Sequence, residues 1–155
     1  MPRDGRLPGG RATALALLVS AGMMAVVCGG SGNPLGPRYE TVVVMRHQAT
    51  FDSLARFGVF ATDFTVPDSG TLRVVVDWAS STDDLDIVLT NPACDAVALA
   101  AGLCKVLGSD ETNAKPASVT LSTGATSYRV LVVNRGPGTE SGTVDATVTQ
   151  TRIAQ

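Results

Sequence analysis

The stretch Leu72–Thr90, LRVVVDWASSTDDLDIVLT, constrains the fold more than any other part of the chain. It holds two short apolar runs separated by an acidic turn. In the first, Leu72, Val74, Val76 and Trp78 alternate with Arg73, Val75, Asp77 and Ala79. In the second, Leu85, Ile87 and Leu89 alternate with Asp84, Asp86 and Val88. Side chains that repeat every second residue share one face of a strand, and β-branched and aromatic residues suit a pleated surface. The intervening Ser80-Ser81-Thr82-Asp83 fits a turn, because short hydroxyl and carboxylate side chains bond nearby backbone.

The same period recurs on both sides. Glu40–Gln48 reads as a first strand, although its short apolar run, Val42 to Met45, also fits burial on both faces. Ala49–Arg56 is expected to be a connection with a turn of helix. Phe57–Val66 returns to alternation, with Phe60, Phe64 and Val66 on one face, and Pro67-Asp68-Ser69-Gly70 then turns the chain. Ala117–Leu121 directs Val119 and Leu121 inward, and Ser127–Asn134 opposes Tyr128, Val130 and Val132 to Arg129, Leu131 and Val133. Near the end, Val144, Ala146 and Val148 face inward and Thr143, Asp145, Thr147 and Thr149 outward, as in an antiparallel sheet with one wet face. Strands at this spacing predict two packed sheets.

Between Asn91 and Lys115 the strand pattern lapses. Asp95–Ala101 is compatible with one or two helical turns closed by Gly102. Cys94 and Cys104 flank it. In an exported chain a disulfide closing this loop is the expected state, stabilising by roughly 2–3 kcal/mol in the chain-entropy description. The alternatives are two reduced core cysteines or a thiolate metal site, which lacks the further ligands of a tetrahedron.

The N-terminus is read separately. Arg3, Arg6 and Arg11 precede an apolar run from Ala12 to Val27, followed by Cys28 and a Gly- and Pro-containing stretch. This order resembles a bacterial secretory signal peptide. A retained membrane anchor is the alternative, but the run is shorter than the ~20 residues that span hydrocarbon. Cys28 resembles the acylated cysteine of bacterial lipoproteins, although Val27 departs from the small residue expected before it. If acylated, Cys28 anchors the chain to membrane lipid and residues 29–38 form a tether; if not, cleavage near Gly30 releases a soluble protein. The expected domains are therefore a signal over 1–28, a linker over 29–38 and one β domain over 39–155.

Net charge is -2, so there is no basic field for nucleic acid. Of 14 acidic and 12 basic residues, only Asp4 among the acids precedes position 39, against Arg3, Arg6, Arg11 and Arg38 among the bases. The domain is thus more acidic than the whole chain.

FATDFTVPDSGTLRVVVDWASSTDDLDIVLT, followed by YRVLVVNRG and GTVDATVT, resembles the bacterial pre-peptidase C-terminal domain across Phe57–Thr149. The match is carried by Phe64-Thr65-Val66-Pro67, Gly70-Thr71-Leu72, Trp78, Asp84-Leu85-Asp86 and the Tyr128–Val132 strand. The resemblance implies an all-β, jelly-roll-like antiparallel β-sandwich of about seven to eight strands, here with a disulfide-closed loop. It also implies an exported setting, accessory roles, occasional calcium binding and contact with substrate or cell surface. No protease domain precedes the module, so a role beside a catalytic domain in the same chain is not expected.

Asp77, Asp83, Asp84 and Asp86 are the candidate metal ligands, for Ca²⁺, because that ion takes six to eight hard oxygens. Asp84 and Asp86 share a strand face; the plainer reading is a solvated or turn-capping set of acids, with crowding that raises at least one pKa. Trp78 and Tyr128 are candidate ligand-binding aromatics, against a reading in which Trp78 anchors the core. His47, the single histidine, has no sequence-placed nucleophile beside it, and no nucleophile-elbow or HExxH motif is present. Catalysis is not expected. The expected function is an exported, lipid-anchored or secreted, monomeric and non-enzymatic module with a structural or binding role, its partner an envelope polysaccharide or protein. A calcium-stabilised carbohydrate- or peptide-binding module is the alternative, and it predicts an exposed aromatic or a concave polar groove. A hydrolase would require His47 beside a nucleophile and an acidic orienter.

Overall fold

Among the described residues, eight strands and one short helix follow in chain order: β1 (Tyr39–Leu54), β2 (Val59–Val66), β3 (Gly70–Trp78), β4 (Leu85–Thr90), α1 (Ala96–Ala100), β5 (Val106–Asp110), β6 (Ala117–Thr123), β7 (Thr126–Asn134) and β8 (Glu140–Ile153). This is a computed structural model, and it describes residues 36–154. The signal over 1–28, with Cys28, and most of the linker over 29–38 lie outside the described residues.

The strands form two four-stranded antiparallel sheets, in the orders β1-β8-β3-β6 and β2-β7-β4-β5. This is a jelly-roll sandwich, the architecture the sequence resemblance implies. The alternating faces meet between the sheets. Leu72, Val74, Val76 and Trp78 of β3 pack with Val144, Ala146 and Val148 of β8, and with Leu85, Ile87, Leu89, Val130 and Val132 from the other sheet. Burying such a side chain stabilises by about 1.5–3 kcal/mol, so this interior is the main force holding the sheets together.

Two segments differ from the sequence reading. Ala49–Leu54 does not turn into helix; β1 continues through it, with Gln48 opposite Asp145 and Ala49 opposite Val144, and a bulge between Phe51 and Leu54 absorbs the break in alternation. Long-range pairing with β8 overrides the local pattern. After the disulfide loop, Val106–Asp110 forms a strand that the sequence reading leaves out, held by β4 on one side only.

The Cys94–Cys104 disulfide is formed, with Cα atoms 5.5 Å apart. The loop it closes contains α1, capped by the Asp95 carboxylate accepting from the Ala98 amide at 2.8 Å and ended by Gly102 at φ 68. Leu99 of α1 and both cysteines pack over Val59, Val88 and Leu131 on the outer face of the second sheet. All six residues of β4 are consequently buried, including the set opposite Leu85, Ile87 and Leu89.

Candidate ligand-binding site

The β1–β2, β3–β4 and β7–β8 turns meet at one end of the sandwich. The register requires this, because Leu54 pairs with Glu140, Trp78 with Gly142, and Leu85 with Asn134. Asn134 joins the turns. It is fully buried, and its Nδ2 donates to the carbonyls of Leu54 and Gly138, both at 2.9 Å. Its Oδ1 accepts from the Gly136 amide at 2.9 Å. Its backbone carbonyl accepts from the Phe57 amide at 2.7 Å, and its amide donates to Gly58 at 3.1 Å.

These bonds hold Phe57 at φ 62, a left-handed conformation that a bulky side chain seldom adopts. The result is an aromatic ring 61% exposed, with the Arg56 guanidinium 4.6 Å from its centroid. Backbone strain of this kind persists only where surrounding contacts impose it.

Beside Phe57 lies a cavity of about 380 Å³ on the outer face of the second sheet. Its floor is aliphatic: Val59, Val88 and Val133 from three adjacent strands, and Ala96, Leu99 and Ala100 from α1. The exposed Phe57, Arg135 and Glu111 stand at its edge, and the buried Asp86 completes the lining. Arg135 Nε donates to the buried Asp86 carboxylate at 2.9 Å, which fixes the guanidinium at the cavity mouth. A concave apolar floor with a few fixed polar groups is the usual constitution of a ligand site.

The four candidate calcium ligands do not converge. Asp86 is neutralised by Arg135. Asp77 accepts from the Trp78 amide at 2.9 Å and pairs with Lys115 at 3.0 Å. Asp83 accepts from the Gly138 amide at 3.2 Å, and its carboxylate lies so close to Gly136 and Gly138 that a Cβ on either would sit within 2.7 Å of it. Asp84 has one buried carboxylate oxygen without a hydrogen-bond partner. Burial, and then the Asp86 charge, push the Asp84 pKa up, with Arg135 opposing. Among the described residues no group of three or more His, Cys, Asp or Glu side chains is arranged to hold a metal ion.

Asp83 instead faces Glu140, a buried acid that the sequence reading did not single out. Burial raises the Glu140 pKa, and the Asp83 carboxyl beside it raises it further, while the Ser80 amide, donating at 3.2 Å, works the other way. These two acids tie the β3–β4 turn to the start of β8.

The candidate aromatics are core residues. Trp78 is 3% exposed and its Nε1 donates to the Asp83 carbonyl at 3.1 Å. Tyr128 is 5% exposed, and its hydroxyl shares a 2.6 Å hydrogen bond with Thr123. Neither presents a ring face to a ligand, because both lie on the inward face of their strands. His47 Nε2 is 2.9 Å from Thr62 Oγ1, and its ring stacks on Phe64 with centroids 5.5 Å apart. The structure thus places a threonine hydroxyl and an aromatic ring beside it, and among the described residues no acidic side chain hydrogen-bonds to the imidazole as the orienter of a triad would.

No family model matches the sequence, and no curated protein matches it. Among solved structures, the pre-peptidase C-terminal domain of a collagenase from Bacillus anthracis is similar, with TM-score 0.47 and 12% identity over 68% of this chain and 90% of that one. It is the domain type that the sequence motifs resemble. A mitogen from Yersinia pseudotuberculosis is also similar, with TM-score 0.44 and 15% identity over 72% of this chain and 86% of that one. Nothing about ligand or activity follows from either likeness.

Sequence reasoning missed Phe57, Arg135, Asn134 and Val88 as site residues. The one local signal was Asn134-Arg135-Gly136-Pro137-Gly138, a polar residue ending an apolar strand just before a glycine-rich loop.

Proposed function

We propose that this chain is an exported, lipid-anchored and non-enzymatic β-sandwich module that binds a partner at the cell envelope through the cavity beside Phe57. The arginine-flanked apolar run and Cys28 support export and anchoring. One observation carries the binding reading: a strained backbone holds an exposed aromatic at the mouth of an aliphatic cavity. Of the exposed aromatic or concave polar groove that a binding module predicts, the exposed Phe57 supports the first, in place of Trp78 and Tyr128, while the concavity beside it is lined mainly by aliphatic side chains.

The experiment is a glycan and peptide array screened with the full-length chain and with Phe57→Gly. Glycine removes the ring and tolerates the left-handed backbone, so the fold is retained. Hits that the substitution abolishes support the reading. Hits that bind both proteins equally, or an absence of hits, count against it.

A further inference from the structure

We infer that the cavity takes the free C-terminus of a peptide, with an apolar last side chain on the aliphatic floor and the terminal carboxylate on Arg135. This deepens the binding reading above and rests on it.

The floor decides between the chemical classes. Sugars stack on flat, open aromatic faces, whereas Val59, Val88, Val133 and Leu99 offer branched aliphatic surface in a concavity. The Phe57 ring already carries the Arg56 guanidinium over its face. About 380 Å³ accommodates one or two amino-acid side chains.

Charge sets the direction. Asp86 engages Arg135 through Nε, and among the described residues the two Nη groups have no protein acceptor. They retain donors in the planar fork that suits a carboxylate, and Asp86 holds that fork in place. Arg56, on the Phe57 turn, adds a second cation on the β2 side. Glu111 lies on the rim beyond β5. The sheet order puts β4 between β7, which leads into Arg135, and β5, which leads into Glu111. Two strand spacings of about 4.8 Å separate those strands, roughly 10 Å, the length of three extended residues. A peptide lying across the strands therefore sets its carboxylate at the cationic side and its N–H groups or amino end toward Glu111.

The test is methyl NMR on the full-length chain with labelled valine and leucine, titrated with Gly-Gly-Leu as the free acid, with its C-terminal amide, and with a linear oligosaccharide. The free acid is expected to shift the Val88 and Leu99 methyls and to bind at least tenfold more tightly than the amide. Arg135→Lys keeps a cation for Asp86 but removes the planar fork. It is expected to leave the melting temperature within a few degrees and to cut the acid-over-amide preference to threefold or less. Equal binding of acid and amide overturns the inference, as does a preference that survives Arg135→Lys. Oligosaccharide binding at the same methyls without peptide binding overturns the ligand class and leaves the binding reading standing. No shift with any of the three probes also overturns the inference, while the array screen separately decides the broader reading.

Discussion

Replacing Asn134 with alanine isolates the joint that builds the site. The side chain satisfies three backbone groups: the carbonyls of Leu54 and Gly138 and the amide of Gly136. The residue is fully buried, so alanine leaves a small void and takes the Nδ2 donor from two carbonyls, while the Gly136 amide keeps its bond to the Asp84 carbonyl at 3.0 Å. Each such group costs about 1–3 kcal/mol when water does not replace the bond. Taking the low end, because both carbonyl bonds are only partly buried, the loss is about 2 kcal/mol. For a domain of this size that lowers the melting temperature by roughly 8 °C. Urea unfolding followed by Trp78 fluorescence measures it directly, since Trp78 is buried in the core. Hydrogen exchange adds the local view: the Phe57 and Gly136 amides should lose protection before the amides of β3. A loss below about 1 kcal/mol, or unchanged exchange at Phe57, would refute the view that Asn134 holds the turns together. Asn134→Asp should be worse at neutral pH, because it sets a carboxylate against two carbonyls.

Further outcomes follow from the same geometry. Glu140 holds its proton more tightly folded than unfolded, so its contribution to stability is full below the ordinary value of 4.5 and is lost as pH rises through the raised value. Glu140→Gln should therefore be more stable than the parent at pH 8 and lose that advantage by about pH 4, in thermal melts across pH; a pH-independent difference would contradict this. At the acid end the sign reverses. The Arg129 hydrogen bond lowers the pKa of Asp63, and Thr112 with the Ser118 amide lowers that of Asp110, so both contributions fade as pH falls below 3.8. Replacing Cys94 and Cys104 with serine should destabilise the fold by roughly 2–3 kcal/mol in urea, and Leu99 methyl signals should change more than those of Val74. Calcium at millimolar concentration should leave the melting temperature unchanged, because Asp86 and Asp77 are already paired with cations; a rise of several degrees would show that the acids rearrange around an ion.

The inward faces were legible in the sequence because burial there is two-sided. Leu72, Val74, Val76 and Trp78 sit in line, and their neighbours Arg73 and Asp77 are polar, so the period stands out. On β4 the same logic identified Leu85, Ile87 and Leu89, while burial of Asp86 and Val88 depended on Arg135 and the disulfide loop, both distant in sequence. The continuation of β1 and the whole of β5 were hidden for a related reason. Asp52 and Ser53 break the alternation of β1, and Val106–Asp110 is short, so partner strands define them. For the acidic cluster the sequence leaves open both a convergent set and separate turn-capping acids, because nearness in sequence does not fix where carboxylates point. Asp77, Asp83 and Asp86 each engage a different group, Asp84 keeps an unpartnered carboxylate oxygen, and Glu140, on which Asp83 acts, comes from the other side of the β7–β8 loop. Phe57 carried no signal at all, since its left-handed backbone is imposed by Asn134 from across the turn.

The most direct test of a binding role for the cavity is to map where a ligand from the array screen contacts the protein by methyl NMR. Shifts concentrated at Val59, Val88, Leu99 and Val133, and abolished by Phe57→Gly, are the predicted result. Shifts confined to the β1–β8 face or to the Ser80–Asp86 turn would contradict it.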